Sequence, residues 1–389
     1  MTSDLNKEIE EIAAVCSDCG NCLFSCPVYN ARLMEPDSPR GKVNLIKSLM
    51  DGRLKPSPLN KELVYRCMCC GSCEHSCTKG VEFVNMMVQY RNEASKGTRI
   101  PWLKKIILYL YQSLIFRKFI WVADLMAKTP LQKKLGIPRR RKAGIKHLLS
   151  GKPKKNDRTE YDILFFPGCV MSMFYPEIIV NIVELLKSKG FTVVIPRGLK
   201  CCGFPFVSQG WGNKFLRLRK KNQALFSQYQ FRYLLAPCGT GAMTFKKYYD
   251  WGESLPQIYE LTQFFYNHIP DMPVNTAPFK DDDRKITWHD PCHQLKSLRV
   301  EKQPRYFMTQ LGEKFVDDKS ALCCGFGGIF SVGFPSTSKK VLTRKQDRLN
   351  EIGAEVVFTS CPGCYLQLRE HLSPEKDVRF FTDLFTKAK

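Results

Sequence analysis

The chain has 389 residues, enough for two or three domains, and 44% of them are hydrophobic, as in ordinary globular proteins. Its formal net charge is +23, and it contains 18 cysteines. The first residues include acids and no apolar core before a cleavage site, so they do not form a signal peptide, and we expect a cytoplasmic location. Thiols stay reduced in that compartment, which argues against a disulfide framework and leaves metal ligation or catalysis as the role of the cysteines.

Residues 1–100 carry nine cysteines in two tight groups. In each group, three cysteines are spaced by two residues and a fourth follows after three more: Cys16, Cys19, Cys22 and Cys26, then Cys67, Cys70, Cys73 and Cys77. This is the bacterial ferredoxin run, in which three thiolates bind one [4Fe–4S] cubane cluster and the fourth binds the other. We therefore predict two cubane sites, one formed by Cys16, Cys19, Cys22 and Cys77, and one formed by Cys67, Cys70, Cys73 and Cys26.

Zinc is the alternative metal for these two groups. Zinc motifs usually pair two CxxC units at a distance, whereas here each run holds four cysteines, so the spacing favours iron–sulfur clusters. Cys69 lies outside the pattern and is predicted to be a buried free thiol. The residues between the groups contain the helical stretches 45–50 and 63–65, which predict a mostly helical domain.

Residues 101–158 form a basic, aromatic linker without cysteines. Residues 101–160 contain 16 Lys or Arg against 3 acids, and therefore carry +13 of the net charge of +23. The longest uncharged run, 106–116, has 11 residues and is too short to span a bilayer. Two interpretations stay open: a helix in the membrane interface, on the inner face of the cell membrane, or a core helix between domains. Nucleic acid is not an expected partner, because no recognition module is present.

The other nine cysteines lie in residues 159–389, in an arrangement that occurs twice. Cysteines of the first half recur at offsets of 123, 122 and 123 residues: Cys169, Cys201–Cys202 and Cys238 correspond to Cys292, Cys323–Cys324 and Cys361. We interpret this as a duplicated half-domain, with units at 159–275 and 276–389.

Short apolar runs alternate with helical stretches in each half. The predicted strands are 162–166, 191–195 and 232–236 in the first half and 285–288 and 356–359 in the second, and a helix is predicted at 176–189. Such alternation predicts a parallel sheet. Ligands bind beyond the carboxyl ends of parallel strands, which is where these cysteines stand in the sequence.

The two halves differ in the number of thiols that they offer. The second half has a fifth cysteine, Cys364, whereas Gly241 stands at the corresponding position of the first half. Adjacent cysteines such as Cys323 and Cys324 do not easily bind one small tetrahedral ion, and they suit a larger multi-iron cluster better.

The motif Cys-x30-Cys-Cys-Gly-x35-Cys-Pro-Gly-Cys in the second half resembles the cysteine-rich CCG domain of heterodisulfide reductases and their relatives. A ferredoxin domain followed by two CCG domains is similar to the iron–sulfur subunits of glycolate oxidase, D-lactate dehydrogenase and anaerobic glycerol-3-phosphate dehydrogenase. Residues 38–52, 289–293 and 323–332 look closest to the glycolate oxidase and lactate-utilisation subunits. The resemblance covers nearly the whole chain. It implies an α+β multidomain fold, with a mostly helical two-cluster ferredoxin domain and two α/β half-domains with parallel sheets.

The resemblance also implies which cysteines bind metal in the two halves. In the second half, a noncubane [4Fe–4S] cluster is expected at Cys292, Cys323, Cys324, Cys361 and Cys364. In the first half, three alternatives stay open for the four cysteines: they bind a cubane cluster, they bind zinc, or they bind no metal. These cysteines are Cys169, Cys201, Cys202 and Cys238. His289 and His293 flank Cys292, and we expect them to hydrogen-bond the backbone near the site; a proton donor or an unusual ligand is the alternative.

The sequence contains no GxGxxG dinucleotide fingerprint before a helix, no P-loop and no Ser-His-Asp arrangement. The chain can therefore carry electrons but shows nothing that would accept a hydride from a hydroxy acid. The resemblance implies a flavin-containing dehydrogenase subunit as electron donor and a quinone or membrane electron carrier as acceptor. Two alternatives remain, disulfide reduction at the noncubane cluster and a structural module whose CCG domains hold zinc.

Overall fold

The computed structural model describes residues 3–95, 148–150, 160–253, 255–279 and 283–385. Nearly all of the predicted linker at 101–158 lies outside these residues, so both interpretations of it stay predictions. Among the residues described, no helix is long and apolar enough to cross a membrane.

The N-terminal region, residues 3–95, is built from short helices around the two cysteine runs. Its helices are α1 (Ser3–Ala14), α2 (Asn21–Ser25), α3 (Pro27–Arg32), α4 (Pro39–Met50), α5 (Pro58–Tyr65), α6 (Ser72–His75) and α7 (Phe83–Ser95), with a 3-10 turn at Glu35–Asp37. Helix α4 begins at a serine cap, because Ser38 Oγ accepts a hydrogen bond from the N–H of Gly41 at 2.9 Å. The mostly helical domain predicted from the sequence is confirmed.

The C-terminal region consists of two α/β halves. The elements of the first half are β1 (Glu160–Phe165), α8 (Cys169–Phe174), α9 (Pro176–Ser188), β2 (Val193–Val194), α10 (Phe204–Val207), α11 (Gly212–Phe226), β3 (Gln230–Ala236), α12 (Gly239–Tyr248), β4 (Gln257–Glu260) and α13 (Leu261–His268). Those of the second half are β5 (Lys285–Trp288), a π-helical turn (His293–Ser297), α14 (Lys302–Met308), β6 (Phe315–Val316), α15 (Ile329–Gly333), α16 (Pro335–Glu351), β7 (Ala354–Thr359), α17 (Pro362–His371) and β8 (Asp377–Phe380). Further 3-10 turns lie at Ala277–Phe279, Thr309–Lys314 and Phe381–Leu384.

Each half contains a four-stranded parallel sheet, and the two sheets have equivalent strand orders. The order is β2-β1-β3-β4 in the first half and β6-β5-β7-β8 in the second. The central strands are buried on both faces, as the apolar ends of β1 and β7 show. Helices must therefore cover both faces of each sheet, the usual arrangement for parallel strands. The predicted duplication and parallel sheets are confirmed.

The three units pack against one another through continuous apolar cores. One core joins α4 and α7 of the N-terminal region, through Ile46 and Met86, to Phe206 and Phe245 of the first half. A second core joins the halves, where the rings of Phe265 and Phe381 lie 5.4 Å apart. This packing sets the cysteine runs of the N-terminal region against the carboxyl ends of the strands.

Candidate metal centres

The first cavity of the N-terminal region is lined by cysteines of both runs. Cys16, Cys19 and Cys22 line it together with Cys73 and Cys77, and the cavity with its open mouth has a volume of about 470 Å³. Cys19 is exposed to solvent, and Cys77 is half-buried. The fold thus brings Cys77 next to the first run, which is where a first cubane would need its fourth thiolate.

The second cavity lies deeper, and with its mouth it has a volume of about 380 Å³. Cys26, Cys67, Cys70 and Cys73 line it, with Met68, Cys69 and the buried side chain of Lys42. The pKa of Cys67 is lowered to about 5, mainly because the Cys69 thiol donates a hydrogen bond to it, against the opposing effect of burial. A thiol that deprotonates readily suits a metal ligand.

Both runs wrap their cavities with the same backbone conformation. Asp18 and Cys69 occupy the same position of each run and both have φ of 53°, while Gly20 and Gly71 follow with φ of 84° and 77°. Left-handed backbone at a non-glycine residue is strained, and it persists where the surrounding structure holds it. Two such loops, each turning three cysteines around a cavity, fit a pair of cubane clusters.

Five thiols of the second half converge beyond the carboxyl edge of its sheet. Cys361 and Cys364 lie at the start of α17, and Cys292 lies just before the π-helical turn. The Sγ atoms of Cys324 and Cys364 are 3.4 Å apart. Hydrogen bonds from the thiols of Cys238 and Cys364 are the main reason why the pKa of Cys361 is held well below its usual range.

Glycines bring backbone N–H groups close to these thiols. The N–H of Gly325 donates a hydrogen bond to Cys323 Sγ at 3.3 Å, and Gly325 has φ of 83°. A Cβ at Gly325 would lie 2.5 Å from the carbonyl oxygen of Ser338, so only glycine fits there. The donor set therefore suits a multi-iron cluster, whose sulfurs accept such hydrogen bonds.

His289 is an additional residue of this centre. Among the described residues, one group of three or more metal-binding side chains has its ligand atoms within 4.8 Å of one another: His289, Cys324 and Cys364. His289 is buried, and neither ring nitrogen has a nitrogen or oxygen partner within hydrogen-bond distance. The expected backbone hydrogen bond is therefore wrong for His289, because the end of β5 aims its ring at the thiols.

His293 forms the backbone hydrogen bond that the sequence analysis predicts. Its Nε2 donates to the carbonyl oxygen of Cys69 at 2.9 Å, and its Nδ1 lies 2.7 Å from the Thr240 hydroxyl, which donates to it. Burial lowers the pKa of His293, which favours this neutral ring. His293 thus links the second half to the second cysteine run.

The four cysteines of the first half do not form one group. The thiols of Cys169, Cys201 and Cys202 are hydrogen-bonding neighbours, whereas the Cys238 thiol lies against Cys361 of the second half. A Cβ at Gly241 would meet only Ala236 and Cys238, at 3.6 and 3.8 Å. These are ordinary van der Waals distances, so a Cβ is tolerated at that position, but the chain has no fifth thiol there.

The second cavity and the five-thiol centre adjoin each other. Met68 Sδ and Cys323 Sγ are 3.9 Å apart. A small apolar cluster that includes Met68 and Phe330 packs against Cys26, Cys70 and Cys323. Cys70 is also close enough to raise the pKa of Cys292, although burial is the larger cause of that shift. Side chains in direct contact thus connect the two centres.

Comparisons with known proteins agree with this architecture. A model of the 4Fe-4S dicluster domain matches residues 12–81, and a model of the cysteine-rich (CCG) domain matches residues 163–246 and 286–369. A probable glycolate oxidase iron-sulfur subunit of Bacillus subtilis is 26% identical over 96% of this chain and 93% of its own. The glycolate oxidase iron-sulfur subunit of Escherichia coli is 22% identical over 98% of this chain and 95% of its own. Lactate utilization protein A of Bacillus subtilis is 28% identical over 54% of this chain and 94% of its own.

The N-terminal cavities, the duplicated sheets and these matches lead to one assignment. The chain belongs to the iron–sulfur proteins in which a 4Fe-4S dicluster domain precedes two cysteine-rich CCG domains.

Proposed function

We propose that this chain is the iron–sulfur subunit of a flavin-dependent 2-hydroxyacid dehydrogenase of the glycolate or lactate type. It accepts electrons from a flavin-containing partner subunit and passes them toward a quinone or a membrane electron carrier. The observation that carries this proposal is the contact of Met68 with Cys323, which joins the second cavity to the five-thiol centre. The names of the relatives that match nearly the full chain support the substrate class.

The residues that would hold the redox groups follow from the cavities. One cubane would be bound by Cys16, Cys19, Cys22 and Cys77, a second by Cys26, Cys67, Cys70 and Cys73, and a noncubane cluster by Cys292, Cys323, Cys324, Cys361 and Cys364. Bound clusters would supply one-electron chemistry, which a flavin partner could feed stepwise. For the first-half cysteines, three alternatives stay open: a further cluster, zinc or no metal.

The burial of the sites suggests the side on which electrons enter. The first cavity opens to solvent beside the exposed Cys19, whereas Cys324, Cys361 and Cys364 of the five-thiol centre are buried. A partner subunit would therefore reach the first site most easily. The excess of +13 in residues 101–160 would favour contact with anionic lipid at the inner face of the cell membrane.

Metal analysis of anaerobically purified chain tests the cofactors. About twelve irons or more per chain, with matching acid-labile sulfide and an EPR signal that appears on oxidation, are expected for a cluster in the cysteine-rich domains beyond two cubanes. About eight irons plus zinc would restrict redox chemistry to the dicluster domain and would refute the proposed route.

Substitution of Cys361 tests the route itself. In the complex with its flavin subunit, Cys361→Ser is expected to reduce flavin-to-quinone turnover at least tenfold, because it removes a thiol from the five-thiol centre. Dithionite-reduced EPR spectra of the two cubanes serve as the control and should not change. Unchanged turnover would exclude the five-thiol centre from the route.

A second candidate function, disulfide reduction at this centre, is favoured by its five converging thiols. It requires the chain alone to reduce a disulfide with a reduced viologen as electron donor. The first half lacks the fifth thiol at Gly241, which weighs against this function. Viologen-dependent disulfide reduction that Cys361→Ser abolishes would favour it over the dehydrogenase role.

A further inference from the structure

Arg91 is a fully buried cation beside the second cavity. Its side chain, on α7, is 0% exposed. Its hydrogen bonds go to the carbonyl oxygens of Val64, Cys67 and Ser208, at 2.6–2.8 Å, and to the Sγ of Cys69 at 3.2 Å. Among these partners within the described residues there is no carboxylate. Burying a charge without a counter-charge costs free energy, and an anionic group nearby would offset that cost.

Cys69 connects this cation to a predicted cluster ligand. Arg91 Nη1 donates to Cys69 Sγ, and the Cys69 thiol in turn donates to Cys67 Sγ. The backbone N–H of Cys69 also donates to Cys67 Sγ, at 3.3 Å. The thiol that the sequence leaves without a role is therefore a hydrogen-bond relay between a guanidinium and a ligand sulfur.

Two other buried cations, Lys42 and Arg66, line the second cavity, and both lie beside the carboxylate of Asp37. Lys42 Nζ lies 3.8 Å from a carboxylate oxygen of Asp37, which also pairs with Arg66 at 2.9 Å. Asp37 also pairs with Arg32 at 2.6 Å, so it offsets only part of this charge, whereas Arg91 has no carboxylate among its hydrogen-bond partners.

The first cavity has a different set of charged groups, because Asp18, Arg40 and Lys79 line it. Asp18, an acid, occupies the position of Cys69 in the first run. Arg40 donates to the carbonyl oxygen of Asp18 at 3.2 Å, but its guanidinium pairs with Glu35 at 2.7 Å near the surface. The two sites therefore share a backbone conformation and differ in local charge.

We propose that Arg91 and Cys69 raise the reduction potential of the second cubane site above that of the first, which makes the inward transfer of an electron favourable. A cluster with four thiolates is anionic and gains one further negative charge on reduction, so a buried cation and hydrogen bonds to its sulfurs stabilise the reduced form. In this transfer one electron leaves the first site and one arrives at the second, with no proton needed for balance. The inference rests on the proposed function for the presence of both cubanes.

The test is a potentiometric titration of the intact chain followed by EPR. In Arg91→Met, the equilibrium constant for one-electron reduction of the second cubane is expected to fall at least tenfold, which is about 59 mV in midpoint. The midpoint of the first cubane should stay unchanged and serves as an internal control. Cys19→Ser, which removes a ligand of the first site, assigns the two signals.

Three further variants separate an electrostatic role from a purely structural one. Cys69→Ala should shift the same midpoint in the same direction, and Arg91→Met with Cys69→Ala should shift it by less than the sum, because both act through one relay. Arg91→Lys, which keeps the charge, should recover part of the shift. Arg40→Met is the matched control at the first site, where Glu35 already neutralises the cation, and it should leave the second midpoint unchanged.

The outcomes distinguish this inference from the proposed function. Suppose that both cubanes are present but that Arg91→Met leaves both midpoint potentials unchanged or shifts them equally. That result would overturn the inference and leave the proposed function standing. Iron analysis without two cubanes in the unmodified chain would overturn both.

Discussion

At the scale of single residues, Gly210 permits the close contact between the N-terminal region and the first half. Its φ is +78°, and a Cβ there would lie 2.2 Å from the carbonyl oxygen of Arg91. The neighbouring hydrogen bonds from Arg91 to the Ser208 carbonyl and from Ser95 to the Gly210 carbonyl, both 2.6 Å, depend on this approach. The absence of a side chain at Gly210 thus allows the backbone next to the second cavity to pack directly against the first cysteine-rich half.

Gly210→Ala is therefore expected to loosen the interface. The left-handed backbone costs an alanine about 1–2 kcal/mol, and the clash with Arg91 adds about 1–3 kcal/mol. Gly252→Ala is the matched control, because Gly252 also has positive φ, +57°, but a Cβ there would meet no atom of a non-adjacent residue within 4 Å. Thermal unfolding should show a clearly lower Tm for Gly210→Ala than for Gly252→Ala; equal values would contradict the prediction.

At the scale of elements, a buried charge cluster attaches α16 to the loop after β6. Asp318 accepts hydrogen bonds from Lys345 Nζ at 2.9 Å and from Arg348 Nε at 3.1 Å, and its side chain is fully buried. Burial alone would raise the pKa of Asp318, but the Lys345 ammonium and the Ser320 hydroxyl outweigh it and hold that pKa well below the usual range. The loop that begins here leads to Cys323 and Cys324.

Asp318→Asn should destabilise the second half, because it leaves Lys345 buried without a counter-charge. The expected cost is about 3–5 kcal/mol at pH 7. Since the folded pKa is depressed, the contribution is present above the ordinary Asp pKa of about 3.9 and is lost as the pH falls below it. Denaturant unfolding measures the loss. Asp51→Asn, which breaks the exposed pair with Arg53, is the control and should change stability by less than about 0.5 kcal/mol.

At the scale of the whole molecule, a buried polar network connects the two halves behind the cysteines. The Thr262 hydroxyl donates to Glu260 at 2.7 Å and accepts from Gln294 at 2.8 Å, and the Ser360 hydroxyl donates to Gln294 at 2.8 Å. Glu260 is fully buried, and the Ser360 hydroxyl also lies close enough to its carboxyl group to lower its pKa. Burial is the main cause that raises the pKa of Glu260 to about 7, and Lys246 is the charged group beside it.

This network makes the docking of the halves sensitive to pH. The folded chain keeps the Glu260 proton between about pH 4.3 and 7, where the unfolded chain has lost it, so stability falls as the pH rises across this range and levels off above about 7. The full effect is about 3–4 kcal/mol. Glu260→Gln mimics the protonated carboxyl group and should raise Tm at pH 8 but not at pH 5.

Thermal melting curves of the wild type and of Glu260→Gln between pH 5 and 8 test this prediction. Glu355→Gln, at an exposed position of β7, is the matched control and should leave the pH profile of the wild type intact. A profile of Glu260→Gln that keeps the wild-type slope between pH 5 and 8 would show that Glu260 does not cause it.

Local order in the sequence was enough to predict much of this protein. The cysteine runs, the duplicated spacing and the central strands were readable because each depends on residues close together in the chain or on a strong apolar run. The short strands β2 and β6 and the edge strands β4 and β8 were harder: β2 was predicted longer than it is, and the other three were missed. Each has two to four residues, too few for a pattern to stand out.

Only the tertiary structure decided how the centres are joined. His293 reaches the carbonyl of Cys69 across 224 residues of sequence, and Arg91 reaches that of Ser208 across 117. The placement of the His289 ring against Cys324 and Cys364 and the contact of Cys238 with Cys361 likewise join residues that are far apart in the sequence. The sequence by itself determined which residues can bind metal, because ligand chemistry and spacing are local. Folding decided which cavities adjoin and which carry uncompensated charge, because those properties arise from contacts between distant segments.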